Sequence, residues 1–111
     1  EDFVNSEKDF ISSLTLNPDS FDANYSLGAL YYNLAVEKIK LANNTSNNRS
    51  YKKLKKEADE YFKKAIPNLE KALTINPNDL ETLFSLEQVY YKTDDYEKSK
   101  EMRERRESLK K

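Results

Sequence analysis

One short segment of the sequence occurs twice in nearly identical form. The first copy reads Leu-Thr-Leu-Asn-Pro and ends at Pro18, and the second reads Leu-Thr-Ile-Asn-Pro and ends at Pro77. The two copies lie 59 residues apart. The same spacing of 59 residues, which we call the repeat offset, relates three further pairs of positions: Leu27 with Leu86, Tyr31 with Tyr90, and Tyr32 with Tyr91. A constant offset across several residue types indicates an internal repeat, which is typical of proteins built from stacked, similar units.

The composition favours a thin helical structure. The 111 residues suffice for at most one ordinary domain, and 35% of them are charged against 37% that are hydrophobic. One glycine and three prolines leave little material for β-hairpins or barrels. The sequence contains no cysteine and no apolar run that approaches the length of a membrane span. These features do not indicate a cellular compartment, so the localisation is left open.

Apolar residues recur at three- and four-residue steps, and this spacing predicts five helices. The expected ranges are 3–15, 21–42, 51–75, 80–92 and 96–109. The segment 43–50 is rich in Asn, Ser and Thr, whose side chains compete for backbone hydrogen bonds, so we expect a loop there. Pro67 falls inside the third helix, where the apolar stripe keeps its phase, which predicts a continuous helix with a kink.

Two helix starts have candidate caps in the sequence. Asp19 or Ser20 follows Pro18 and is expected to cap the second helix by accepting a backbone N–H. Asn78 and Glu81 have the spacing of a capping box at the start of the fourth helix.

The motif spacing resembles the tetratricopeptide repeat, a helix–turn–helix unit of 34 residues. The residues that carry the resemblance are Asn24, Leu27, Gly28, Tyr31, Ala65, Leu69, Ala72 and Pro77 in the middle unit, and Leu83, Leu86, Tyr90 and Ser99 in the last. Asn24 and Leu83 depart from the family's Trp, and Glu87 departs from its Gly. The resemblance implies an all-α fold, a right-handed solenoid fragment of antiparallel helical pairs in which Gly28 permits a close helix contact.

The resemblance divides the chain into three units. Residues 1–18 would form the second helix of a truncated repeat, 19–79 a full repeat, and 80–111 a last repeat with a C-terminal capping helix. The repeat offset exceeds one family unit by about seven helical turns, and the excess keeps helical spacing. We therefore expect the middle pair to be an elongated hairpin with the loop 43–50 at its tip.

The two ends of the chain carry further expectations. The first unit lacks its first helix, so the native protein is expected to extend toward the N-terminus. In the truncated helix, other helices would then cover the apolar side chains only incompletely, and self-association through them is possible. These residues are Phe3, Phe10, Ile11 and Leu14. Arg103 and Arg106 stand where the family has an aromatic residue and an Ala, and this predicts a solvated final helix.

The side chains that most enzymes need are scarce. The chain has no histidine and no cysteine, which removes imidazole bases, thiol nucleophiles and the usual zinc ligands. A single glycine cannot form a phosphate-binding loop. We therefore expect no catalysis, no cofactor and no metal.

The resemblance implies a groove along the first helices of the units, which in the family receives peptides or helices. The residues that map to it are Tyr25, Tyr32, Asn33, Phe84, Gln88, Tyr91 and Lys92. Aromatic side chains with a polar tip are good interface anchors, so the expected partner is another protein or a peptide. The alternative for the aromatic residues is packing within the chain.

Two other functions remain open. Segment 49–71 has a net charge of +4, so Lys52, Lys53, Lys55 and Lys56 could contact an anion or a nucleic acid. An ordinary surface of paired Lys and Glu explains the same pattern, and nucleic acid is therefore not an expected partner. A purely structural role within a larger protein is the third possibility.

Overall fold

The computed structural model describes residues 2–110, which form five α-helices in series and contain no strand. The helices are α1 (Asp2–Leu16), α2 (Phe21–Asn43), α3 (Asn48–Ile75), α4 (Leu80–Lys92) and α5 (Tyr96–Leu109). The prediction of an all-helical chain with five helices is confirmed. The largest difference in bounds is at the start of α3, which begins three residues before the predicted position 51. The predicted loop 43–50 is therefore too long: only 44–47 lie between α2 and α3. Pro67 lies inside α3, as predicted.

Side-chain caps fix the starts of the helices. Ser20, rather than Asp19, caps α2 and accepts the backbone N–H of Ala23 at 3.1 Å. The predicted capping box at Asn78 is wrong, because Asp79 caps α4 and accepts from the backbone nitrogen of Thr82 at 2.9 Å. The helix begins one residue later than a capping box that starts at Asn78 would require. Glu81 therefore lies too early in the helix to complete it.

The helices α2 and α3 run antiparallel along most of their length. Contacts join Asn24 with Asn68, Tyr32 with Phe62, and Lys38 with Glu57, so the residue numbers rise on α2 as they fall on α3. Consecutive helices pack against each other through the rest of the chain, and α2 also touches α4. The largest fully buried side chains are Phe62, Leu69, Leu83, Leu86, Val89 and Thr82.

Gly28 marks the closest approach between α2 and α3. A Cβ atom placed there would lie 2.6 Å from Cγ of Leu69 and 3.3 Å from the carbonyl oxygen of Ala65. Real Cβ atoms do not come as close as 2.6 Å to a neighbour. The packing of Leu69 against α2 therefore requires a residue without a side chain at position 28.

The first helix lies on the edge of the core. Phe3, Phe10 and Leu14 are half-buried and pack against the core residues. Ile11, which was expected to have incomplete cover together with them, is 46% exposed. One residue along a helix is a rotation of about 100°, which carries Ile11 away from α2 while Phe10 faces it. No residue of α1 is fully buried.

Candidate functional site

A cleft of about 520 Å³ opens where α2, α4 and α5 meet. Tyr25 of α2 and Phe84 of α4 both line it, and the repeat offset makes these two positions equivalent. The remaining lining residues are Leu80, Glu81, Ser85, Arg106 and Lys110. Two of the seven predicted groove residues are thus brought together by the fold, with an apolar residue and two basic residues beside them.

Tyr25 is held in place by the start of α2. Its ring stacks on Phe21, with centroids 6.0 Å apart and planes 14° from parallel. Asn24, the residue before Tyr25, is only 3% exposed, and its side-chain amide donates to the carbonyl oxygens of Pro18 at 3.1 Å and of Ser20 at 2.8 Å. These bonds tie the turn after Pro18 to the helix, so the Tyr25 side of the cleft is preorganised.

Phe84 forms the opposite wall and is 49% exposed. The guanidinium carbon of Arg106 lies 5.2 Å from the centre of its ring, within the range of a cation–π contact. Arg106 also donates from Nε to the Oε1 atom of Glu87 at 3.2 Å, and Nη2 reaches the same oxygen. The expectation that Arg106 is solvated is therefore wrong. Glu87, which stands at the family's Gly position, neutralises it.

The charges around the cleft nearly cancel. The side chains of Arg106 and Glu87 are 17% and 12% exposed, and the two charges neutralise each other in an ion pair. Glu81 and Lys110, which are exposed and opposite in sign, complete the rim. The surface that remains for a partner consists mainly of the rings of Tyr25 and Phe84 and the side chain of Leu80, which is 41% exposed. Such a cleft suits an apolar side chain more than a charged one.

Tyr32 does not join this cleft. Its ring lies against Phe62, with centroids 5.6 Å apart, and it belongs to the partly buried residues around the core. Burial raises the pKa of its hydroxyl group above the ordinary tyrosine value. The structure thus uses Tyr32 to join α2 to α3, which is the packing role left open for the aromatic residues.

The other four predicted residues lie outside the cleft. Asn33 is exposed at the edge of a cavity of about 220 Å³ between α1 and α2. Gln88 and Tyr91 line another, of about 290 Å³, between α4 and α5. Tyr91 is 59% exposed, and its ring lies 5.4 Å from that of Tyr96. Lys92 is exposed in the last turn of α4.

Arg106, Leu80 and Lys110 were not predicted as site residues. The sequence contained a signal for Arg106. By the resemblance, a positive charge stands there in place of an Ala, and a negative charge stands at Glu87 in place of a Gly. Two departures of opposite sign in one helical pair indicate an ion pair. No comparable signal marks Leu80 or Lys110.

Comparison with known proteins adds no relative: no protein-family model matches the chain, and no curated protein is significantly similar to it. Within residues 2–110, no helix is long and apolar enough to cross a bilayer, and no group of three carboxylates is placed to hold a metal ion.

Proposed function

We propose that the chain is a non-enzymatic scaffold of the tetratricopeptide type, which binds an extended peptide or a segment of a partner protein in the cleft between α2, α4 and α5. The observation that carries the proposal is the meeting of Tyr25 and Phe84. They are equivalent by the repeat offset, lie on different helices and line one cleft. In a repeat array, equivalent positions on successive units form a continuous surface.

The chemistry of the cleft supports a protein ligand. Aromatic residues and arginine carry much of the binding energy in protein interfaces, and here Tyr25, Phe84 and Arg106 lie together. The volume of about 520 Å³ accommodates one or two side chains of a partner. Because Glu87 neutralises Arg106, we expect apolar contacts to dominate, and binding should depend only weakly on salt.

The proposal can be tested with peptides selected from a random displayed library against the whole chain. Affinities of the selected peptides are then measured by calorimetry for the wild type and for a Tyr25→Ala/Phe84→Ala variant. We expect the double variant to bind roughly 30-fold more weakly or worse, since truncation of a central aromatic anchor costs about 2 kcal/mol.

A Tyr96→Ala variant is the matched control. Tyr96 is 58% exposed and lies outside the cleft, so its truncation also removes an exposed aromatic ring. Its affinity should equal that of the wild type. Peptides that bind the double variant as well as they bind the wild type would contradict the proposed site.

A further inference from the structure

The distal part of the α2–α3 hairpin is purely cationic. Residues 38–56 contain seven basic side chains and no acidic one, whereas the remainder of the chain has twelve basic and 20 acidic side chains, a net charge of −8. This segment covers the end of α2, the connecting loop and the start of α3, and we call it the hairpin tip. The chain is therefore strongly dipolar, although its net charge is only −1.

Four of the basic residues share one face of α3. At 100° per residue, Arg49, Lys52, Lys53 and Lys56 fall within an arc of about 100°, opposite the buried Ala58. All four are exposed, and none forms an ion pair with another side chain of residues 2–110. In contrast, the Lys38 ammonium lies 3.2 Å from Glu57 and is neutralised. The arc thus presents uncompensated charge to solvent.

Exposed apolar side chains accompany this charge. Leu41, near the end of α2, is 56% exposed, and Tyr51, near the start of α3, is 38% exposed. Tyr51 lies about 20° from Ala58 around α3, on the side opposite the basic arc, so it meets the same surface as the arc only when the tip is touched end-on. In that orientation leucine and tyrosine suit the boundary between lipid headgroups and acyl chains, where long basic side chains extend to the phosphates. A nucleic acid would gain little from the leucine, because bases bind by stacking on aromatic rings.

The distribution of charge also favours contact through the tip alone. A polyanion that ran along the molecule would meet the net charge of −8 on the body. A flat surface touched end-on meets the basic tip first and keeps the acidic body farther away, where the repulsion is weaker because Coulomb energy falls with distance. The helices α2 and α3, of 23 and 28 residues, are longer than the others, so the tip can reach a surface first.

We propose that the hairpin tip docks end-on to an anionic phospholipid surface. Arg49, Lys52, Lys53 and Lys56 contact the headgroup phosphates and carboxylates, and Leu41 and Tyr51 enter the boundary with the acyl chains. This surface is separate from the cleft at Tyr25 and Phe84, so either site can fail without the other.

Sedimentation of the whole chain with vesicles tests the docking. Vesicles of phosphatidylcholine mixed with phosphatidylserine should bind the chain at low ionic strength, and vesicles of phosphatidylcholine alone should not. A Lys52→Ala/Lys53→Ala/Lys56→Ala variant should bind roughly 100-fold more weakly, since each basic residue near the surface contributes about fivefold. The matched control, Lys8→Ala/Lys63→Ala/Lys100→Ala, removes three exposed lysines outside the tip and should bind as the wild type does.

The apolar contribution needs its own variant. Leu41→Ser/Tyr51→Ser should weaken binding to the anionic vesicles roughly tenfold, with the helical circular dichroism unchanged. Absence of binding to anionic vesicles at low ionic strength would overturn the proposal. So would tighter binding to a DNA or RNA oligonucleotide that is insensitive to the Leu41/Tyr51 change, a result that would assign the tip to nucleic acid.

Discussion

Tyr31 donates its phenolic hydrogen to the carboxylate of Glu7 on the preceding helix, at 2.6 Å. The equivalent tyrosine, Tyr90, donates in the same way to Glu70 on the helix before it. These bonds join α2 to α1 and α4 to α3. The tyrosines follow the repeat offset, whereas the two acceptors are displaced from it by four residues, about one helical turn, which leaves both carboxylates on a similar face of the preceding helix.

These two bonds predict a loss of stability at alkaline pH. Burial, and then the hydrogen bond to the carboxylate, raises the pKa of Tyr31 and of Tyr90 well above the usual value near 10. A raised pKa in the folded state means that the stabilisation is complete below about pH 10. It is lost as the pH rises further, because the unfolded chain releases these protons first. The free energy of unfolding, measured with urea, should therefore fall between pH 10 and 11.

A Tyr31→Phe/Tyr90→Phe variant isolates the two hydroxyl groups. It should be about 2 kcal/mol less stable than the wild type at pH 8, about 1 kcal/mol for each hydrogen bond, and its stability should fall less between pH 10 and 11. A Tyr25→Phe/Tyr51→Phe variant removes two other tyrosine hydroxyls and should keep the wild-type pH profile. Parallel profiles for the first variant and the wild type would refute this origin of the pH dependence.

Gly28→Ala is expected to destabilise the chain. Alanine is a better helix former by about 1 kcal/mol, but its Cβ would lie 2.6 Å from Cγ of Leu69, and overpacking typically costs about 1–3 kcal/mol. In a Leu69→Ala background the contacts with Leu69 are gone and only the 3.3 Å approach to the carbonyl oxygen of Ala65 remains, so the same change should cost less than in the wild type. Thermal or urea unfolding of the four proteins measures the difference. An equal cost in both backgrounds would mean that the close contact is not the cause.

The Glu87–Arg106 pair should be worth more than an exposed ion pair. Both side chains are largely buried, so a double-mutant cycle with alanine should give a coupling energy of roughly 1–3 kcal/mol. The Lys38–Glu57 pair, whose side chains are 28% and 32% exposed, serves as the comparison and should give less than about 1 kcal/mol. Similar coupling energies in the two cycles would argue against a structural role for the Arg106 pair.

Asn24→Asp should introduce a pH-dependent defect. The amide of Asn24 is buried and donates to the carbonyl oxygens of Pro18 and Ser20, whereas an ionised carboxylate cannot donate to them. We expect a loss of about 2–3 kcal/mol at pH 7 and a smaller loss below pH 4, where the carboxyl group is protonated and can donate again. Asn43→Asp, at an exposed position, should have little effect at either pH. The comparison requires urea unfolding at both pH values.

The helices could be predicted because their signal is local. Apolar spacing, prolines and polar loop residues lie within each segment, and α4 and α5 have the predicted bounds. The cap of α4 was missed because one extra residue in the turn moves the role from Asn78 to Asp79. No local pattern distinguishes the two, since both side chains can accept the bond.

The candidate site was less predictable because it depends on packing between distant segments. Tyr32 was expected to face a partner, but its ring packs on Phe62 of α3. The resemblance could not predict this contact, because Phe62 lies in the segment for which the resemblance has no counterpart. Tyr25 and Phe84 were predicted together because nothing in the inserted segment lies over them.

The most direct test of the proposed function is a chemical-shift map of a selected peptide on the isotope-labelled chain. The proposal predicts that the largest changes occur at Tyr25, Leu80, Phe84 and Arg106, with little change at Lys52 and Lys53 of the hairpin tip. Changes confined to the hairpin tip, or spread over α1 with none at Tyr25 and Phe84, would contradict it.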